Sequence, residues 1–299
     1  MALPALQSLD QALAAAVAAV APSVVHVTRG HHSGGSGIVW SPELVISASF
    51  HTPDRTKVGL PDDDGNLDLR DAEVIGRDPG TDVAVLKVTG GGLAPAAFRE
   101  LEQLGVGNLA LAIGRPGRTA RASLRAIGVL GPAIETPHGG TLDRYLESDR
   151  QIPRGFAGGP LIDAEGKVLG MNTRTLLRGA DLAVTTSTLR RVVAELVAHG
   201  GIRKGYLGVG AYPASLTPNL TSVAGRDEGA LVASIEDGGP AATAGLLVGD
   251  ILIEVAGQPV TGPDTLRTVL HARPGAEVEL VILRGGAKVV LKATLGSRA

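Results

Sequence analysis

Short apolar runs separated by turn residues dominate the first two thirds of the chain. Between residues 24 and 88 these runs read VVHVT, GIVW, LVIS, KVGL, AEVIG and VAVLKV. Further runs follow, with the sequences LALAI, SLRAIGVL, RYLES, PLID, KVLGMNT and DLAVT. Short β-rich runs at this spacing are typical of antiparallel barrels and sandwiches. The pattern therefore predicts a mainly β domain.

A helix is predicted at each end of this domain. The closing helix shows apolar residues at helical spacing, at Leu189, Val192, Val193, Leu196 and Val197. Thr186 and Ser187 are favoured N-cap types, and Gly200 follows the run as a C-terminal glycine. The opening helix shows the same spacing at Leu6, Leu9, Leu13, Val17 and Val20. We predict that residues 1–200 form one domain.

A second unit follows a short linker at residues 201–204 and covers residues 205–299. Strands are predicted at residues 206–210, 230–235, 251–255, 278–283 and 288–295, with short helices at residues 240–244 and 263–271. Pro263 suits a first helical position, because the N–H that proline lacks would be unpaired there. A mixed α and β unit of this length is a common size for a binding module.

Composition excludes several functional classes. The 28 basic and 30 acidic residues leave a net charge of −2, which provides no long-range attraction to nucleic acid. The chain has no Cys, so it has no disulfide, no thiol nucleophile and no Cys-based zinc site. No apolar run approaches the roughly 18 residues of a membrane span. We predict no cofactor, no metal, no nucleic-acid partner and no membrane span.

The chain as written is predicted to be cytoplasmic. Residues 12–21 are apolar, but no basic residue precedes them and Asp10 interrupts the approach, so a signal peptide is disfavoured. If the chain is a mature or trimmed form, the periplasm or another extracytoplasmic compartment is the alternative.

Three polar clusters are interpreted as ordinary surface. The run at residues 62–66 does not fit an EF-hand and indicates a hairpin turn. His31 and His32 adjoin SGGSG, which favours a mobile loop over a metal site. Arg115, Arg118, Arg121 and Arg125 are interpreted as a solvated face, with an anion site as the alternative.

Four segments resemble the HtrA/DegP family. They are DPGTDVAVLKV at residues 78–88, GFAGGPLIDAEGKVLGMNT at 155–173, YLGVG at 206–210 and GGPAATAGLLVGDILIEVAGQPV at 238–260. The resemblance covers about residues 8–295, in the family's order. It implies a chymotrypsin/trypsin-like double β-barrel followed by a smaller α+β PDZ domain. Family members are often trimers, so a homo-oligomer is an implied state.

The resemblance places only part of a catalytic triad. A serine protease needs a hydroxyl nucleophile, an imidazole base and a carboxylate that holds the imidazole. Asp82 matches the family's aspartate. Ala157 of GFAGGP stands at the serine position, and Phe50 of VISASFH stands at the histidine position. His51 is one residue further on, and strand alternation predicts that it points away from Asp82.

These substitutions predict a pseudoprotease that is not an enzyme. The backbone N–H groups of Gly155 and Ala157 are expected to keep the shape of an oxyanion hole, while Phe50 and Phe156 refill the cleft. Two alternatives stay open: an active serine endopeptidase with an irregular site, and a purely structural subunit.

The segment YLGVG resembles the loop with which HtrA-type PDZ domains bind a peptide's carboxylate. The resemblance implies a peptide-binding site at Tyr206, Leu207, Gly208 and Val209, with an apolar wall at Leu266, Val269 and Leu270. These residues could also be ordinary core and edge positions of a small domain. The predicted partners are peptide or protein C termini, and an active protease relative, which would make the chain a scaffold, chaperone or regulator.

Overall fold

The structure, a computed structural model, describes residues 4–29, 33–61 and 66–298. The predictions for His31, His32 and residues 62–65 lie outside the described residues. The chain divides into two compact units, Met1–Ile202 and Arg203–Ala299.

The first unit contains two closed six-stranded barrels. The first barrel is built from β1 Val24–Arg29, β2 Ser33–Ser41, β3 Leu44–Ala48, β4 Arg55–Pro61, β5 Leu67–Asp78 and β6 Val83–Val88. The second part contains β7 Leu109–Gly114, β8 Arg121–Gly131, β9 Ile134–Glu135, β10 Thr141–Leu142, β11 Tyr145–Ser148, β12 Pro160–Ile162, β13 Val168–Leu177 and β14 Ala180–Thr185. Of these, β9 and β10 form a separate hairpin, and the other six close the second barrel in the order β11-β14-β13-β12-β7-β8. All named strand pairs are antiparallel, and antiparallel neighbours can be joined by short turns. This agrees with the short apolar runs separated by turn residues in the sequence.

The described part of the first unit also contains two α-helices. The first, α1 Pro4–Val20, buries Ala16 and Val20, while Leu6 and Leu9 at its start are exposed. The second, α2 Thr186–His199, begins after an extended Thr185 and ends at Gly200, which has a φ of 73°. The apolar positions of α2 predicted from sequence are buried except Val197, which is 49% exposed.

Within its described residues, the second unit has a main sheet, a separate two-stranded sheet and three α-helices. Its elements are β15 Lys204–Tyr206, β16 Val209–Ser215, α3 Pro218–Ala224, β17 Glu228–Ile235, α4 Pro240–Thr243, β18 Ile251–Val255, β19 Gln258–Pro259, α5 Pro263–His271, β20 Glu277–Arg284, β21 Ala287–Thr294 and β22 Gly296–Arg298. The main sheet has the order β16-β17-β18-β20-β21, so β16 is an edge strand.

Sequence periodicity missed α3 because this helix has seven residues and buries only Ala224, which is too little for an apolar stripe. The predicted fold class, a mainly β double barrel followed by a smaller α+β domain, is confirmed.

Candidate functional site

Asp82 lies in the tight turn between β5 and β6, with a φ of 58°, and is fully buried. Its Oδ1 atom accepts the backbone N–H of Phe50 at 2.8 Å. Its Oδ2 atom accepts the hydroxyls of Thr173 at 2.5 Å and Thr175 at 2.9 Å. Both threonines are on β13, so a carboxylate of the first barrel is bound by side chains of the second.

Burial raises the pKa of Asp82 above its ordinary value of 3.8. The hydroxyl of Thr173, the N–H of Phe50 and the hydroxyl of Thr175 each lower this pKa in part, and the charge of His51 lowers it further. His51 shares a 3-10 turn with Phe50, Ser49–His51. Because residues 49–51 form a turn, the strand alternation that predicted the direction of the His51 side chain does not apply there.

Sequence reasoning missed Thr173 and Thr175. The available signal was their spacing, because residues two apart on a strand point to the same face. A pair of hydroxyls on one face of a strand is able to donate to one carboxylate, which is what the structure shows.

The two phenylalanines of this region lie in different environments. Phe50 is 41% exposed, and its ring centroid is 5.2 Å from that of His138. Phe156 is 3% exposed and packs in the core of the second barrel, in the cluster that contains Ile152 and Leu161. The prediction that both rings refill a cleft is therefore wrong for Phe156, because its ring is part of the barrel core.

The loop that contains Ala157 is bound tightly to β2. Ser36 donates its hydroxyl to the carbonyl of Gly155 at 2.6 Å, and its N–H to the carbonyl of Ala157 at 3.2 Å. Gly158 has a φ of 84°, and a Cβ placed there would lie 2.2 Å from the carbonyl oxygen of Ser36. Glycine is thus required at residue 158 by both conformation and space.

The backbone N–H groups of this loop differ in their hydrogen bonding within the described residues. Phe156 donates its N–H to Pro153 at 3.1 Å, and Gly158 donates its N–H to Asn172 at 2.8 Å. By contrast, the N–H groups of Gly155 and Ala157 donate to no acceptor within the described part of the chain. The side chain of Ala157 is a buried methyl group, so residue 157 offers these donors but no nucleophile.

The arginine cluster is not a uniform solvated face, as predicted. Arg115 is 4% exposed and Arg125 is 2% exposed, so the prediction is wrong for these two residues. The guanidinium of Arg115 donates to the carbonyls of Ala21 and Val24, just after the C-terminal end of α1. The C-terminal end of a helix carries partial negative charge, which a nearby cation offsets.

The loop between β15 and β16 has two unpaired N–H groups. The carbonyl of Leu207 accepts the N–H of Ala241, and the carbonyl of Gly208 accepts the N–H of Glu236, both at 2.8 Å. The N–H groups of Leu207 and Gly208 donate to no acceptor in the residues that the structure describes. Gly208 has a φ of 77°, a left-handed conformation that glycine adopts without strain.

A groove of about 320 Å³ lies beside this loop, between β16 and α5. Its lining includes the predicted residues Tyr206, Leu207, Gly208, Val209, Leu266 and Leu270, and also Gly205, Ala211, Pro263, Arg267, His271 and Arg298. Val269 is not among the lining residues and instead packs partly buried against the core of the unit. Leu266 and Leu270 are about one helical turn apart on α5 and share a face.

Comparison with known proteins assigns the two units. Residues 35–171 match the family described as trypsin-like peptidase domain, and residues 231–284 match the PDZ domain family. The solved HtrA-type protease AlgW with tripeptide is 30% identical, with a TM-score of 0.67 over 96% of this chain and 97% of that one. The fold and the two domain matches thus define a trypsin-like peptidase domain joined to a PDZ domain. The chain belongs to the HtrA family of proteases.

Curated relatives carry names that describe proteases. The "Probable periplasmic serine endoprotease DegP-like" of Brucella suis biovar 1 is 32% identical over 266 residues, 84% of this chain and 50% of that protein. The protein of the same name from Halomonas elongata is 32% identical over 280 residues, 90% of this chain and 58% of that protein. The chain therefore spans about half the length of the curated relatives that it matches.

These comparisons correct two predictions. The prediction that the chain is not an enzyme is contradicted, because the curated relatives are named as serine endoproteases and the first unit matches a peptidase domain, which points to a protease. The cytoplasmic prediction is not supported, since the relatives are named as periplasmic. Within the described ranges, every helix is too short or too polar to cross a bilayer.

Proposed function

We propose that this HtrA-family chain binds the C-terminal ends of polypeptides in the groove between β16 and α5. The observation that carries the proposal is the pair of N–H groups at Leu207 and Gly208, which line that groove and donate to no acceptor among the described residues. Adjacent backbone N–H groups in a turn are suited to bind a carboxylate. Among the described strands, the edge strand β16 pairs with β17 alone, which leaves its other side for an added peptide strand.

The groove favours an apolar last residue. The wall next to the loop consists of Leu207, Leu266 and Leu270, which are 1%, 3% and 6% exposed. Such side chains have no polar atoms to pair with a charged ligand residue, so burial of an apolar side chain is the favourable contact. The solved HtrA-type protease AlgW was obtained with a tripeptide and with a decapeptide.

A pooled peptide library tests the binding proposal. Decapeptides with random upstream positions and a C-terminal Leu or Val are offered to the full chain as free acids and as amides. Mass spectrometry measures the retained fraction of each pool. We expect retention of the acid pool and loss of the amide pool, because the amide removes the charge that the N–H pair binds.

Two variants locate the binding site. Leu266→Gln should weaken retention of the acid pool, whereas Val290→Gln on the exposed face of β21 should not, since Val290 is 56% exposed and does not line the groove. Equal retention of the acid and amide pools would show that the loop between β15 and β16 does not recognise the C-terminal carboxylate of the peptide. Retention of neither pool would support a purely structural unit.

Serine endopeptidase activity with an irregular site is the second candidate function. It is favoured by the peptidase-domain match and the names of the relatives, and by the N–H groups of Gly155 and Ala157, which remain available to an oxyanion. Casein cleavage above a heat-killed control would support it. Because Ala157 has no hydroxyl, a fluorophosphonate label must map to another residue, and absence of both cleavage and label would contradict the candidate.

A periplasmic location, and a scaffold, chaperone or regulatory role beside an active relative, follow from the family as further proposals. The homo-oligomeric state stays a prediction.

A further inference from the structure

Arg298 is among the residues that line the groove beside the loop between β15 and β16. Arg298 is on β22, which pairs with β15 and places Gly296 opposite Tyr206. Its guanidinium carbon is 3.9 Å from the centroid of the Tyr206 ring. Its Nη2 atom is 2.6 Å from Oε1 of Glu236. The tyrosine ring and the carboxylate thus hold the guanidinium beside the loop whose N–H groups are unpaired.

Glu236 lies against the same loop. Its N–H donates to the carbonyl of Gly208 at 2.8 Å, and its Oε2 atom would lie 3.1 Å from a Cβ placed on Gly208. A ligand carboxylate bound to the N–H of Gly208 would therefore meet a like charge at close range. Two like charges at such a distance repel unless a cation lies between or beside them.

We propose that the guanidinium of Arg298 binds the terminal carboxylate of the ligand in addition to the N–H groups of the loop. We also propose that the carboxylate of Glu236 competes with the ligand for this guanidinium. This inference rests on the proposed function. A guanidinium has five N–H donors in a planar fork, so one edge is able to bind Glu236 while the remaining donors bind a second carboxylate. Stacking on Tyr206 keeps that fork oriented before the ligand arrives.

The roles predict opposite effects for the two residues. Arg298→Met should weaken binding of the acid pool by roughly fivefold, the scale expected of one partly exposed ion pair. Arg298→Lys should restore part of this loss because it restores the charge. Glu236→Gln should strengthen binding by a few-fold, since it removes the repelling charge and releases the guanidinium.

The chain offers a matched control in Arg190. This residue is also paired with a carboxylate, that of Glu100 at 3.0 Å, and its side chain is 58% exposed, close to the 59% of Arg298, but it lies on α2 and does not line the groove. Arg190→Met removes the same charge from a comparable surface ion pair. We expect it to change binding of the acid pool less than twofold.

The experiment measures retention of the acid and amide decapeptide pools by the full chain and the four variants, with a thermal unfolding scan of each. Equal retention of both pools by the unaltered chain would overturn the proposed function itself. Discrimination by the unaltered chain that Arg298→Met leaves unchanged would overturn the inference alone. The inference would also be overturned if Arg190→Met loses as much binding as Arg298→Met. An unchanged affinity in Glu236→Gln would overturn the competitor role. If Arg298→Met unfolds at a lower temperature than the unaltered chain, the retention measured for Arg298→Lys and Glu236→Gln tests the inference instead.

Discussion

At the scale of the residue, Asp82 shows how a buried carboxylate is kept in place. Its left-handed backbone, with a φ of 58°, is a conformation that Asp tolerates better than most residues. Three donors satisfy its oxygens, and they come from Phe50 in the first barrel and from Thr173 and Thr175 in the second. Burial still dominates, so the pKa is raised.

Replacement of Thr173 by Val should destabilise the fold in a pH-dependent way. Because the folded pKa of Asp82 lies above 3.8, ionisation of Asp82 opposes folding as the pH rises through that folded pKa. Loss of the Thr173 hydroxyl raises the folded pKa further. We expect a loss of about 1–3 kcal/mol at neutral pH and a smaller loss in mild acid.

Denaturant unfolding at both pH values measures this effect. In an Asp82→Asn background the pH dependence of the Thr173→Val loss should vanish, because no carboxylate remains to ionise. An equal loss at both pH values in the parent background would contradict the assignment of Thr173 to the ionised carboxylate.

The double variant Phe50→His, Ala157→Ser should cleave casein faster than the parent chain, by roughly 10²-fold or more. The backbone N–H of residue 50 already donates to Asp82. An imidazole at residue 50 would therefore lie beside the carboxylate that orients it in a catalytic triad. A base and a nucleophile act as a unit, and each single variant should therefore gain far less. Initial rates with fluorescent casein measure the gain, and additive single-variant effects would contradict the triad alignment.

At the scale of the element, α2 packs on β5 through a glycine. A Cβ placed on Gly76 would lie 2.9 Å from the Cβ of Leu196 and 3.0 Å from the carbonyl oxygen of Gly200. Closeness of this kind requires the absence of a side chain at residue 76. The position of α2, a helix that the apolar pattern predicts, thus depends on Gly76, a residue that contributes nothing to that pattern.

Gly76→Ala should destabilise the first unit by about 1–3 kcal/mol, because the added methyl group forces α2 away from β5. Gly117→Ala is the matched control, since a Cβ there meets nothing within 4 Å, and it should change stability by less than ~1 kcal/mol. Urea unfolding measures both. Equal effects of the two variants would show that the helix adjusts freely.

At the scale of the whole molecule, each unit has its own core. Leu280 belongs to the main cluster of the second unit, and Leu146 belongs to the cluster of the second barrel in the first. Both side chains are fully buried. Cores that share no residues are expected to respond to mutation separately.

Leu280→Ala should therefore lower the calorimetric transition of the second unit by an amount that corresponds to about 2–5 kcal/mol, and should leave the first unit's transition in place. Leu146→Ala should show the reverse pattern. Protease susceptibility, mapped by mass spectrometry, assigns each transition to its unit. A single transition that shifts equally in both variants would show that the units unfold together.

The sequence alone determined the fold class, the helix α2 and the order of the two units. These features depend on local periodicity and on motifs, which are readable along the chain. It also marked Asp82 and the YLGVG loop as positions of interest.

Only the tertiary structure decided which groups meet. Thr173 and Thr175 reach Asp82 from the other barrel, Phe156 lies in a barrel core, and Val269 packs against the core of the second unit. Arg298 and Glu236 meet beside Gly208 although 62 positions separate the two charged residues. Such contacts depend on how distant strands pair and pack, and a one-dimensional pattern records the face of a residue but not its partner across the fold.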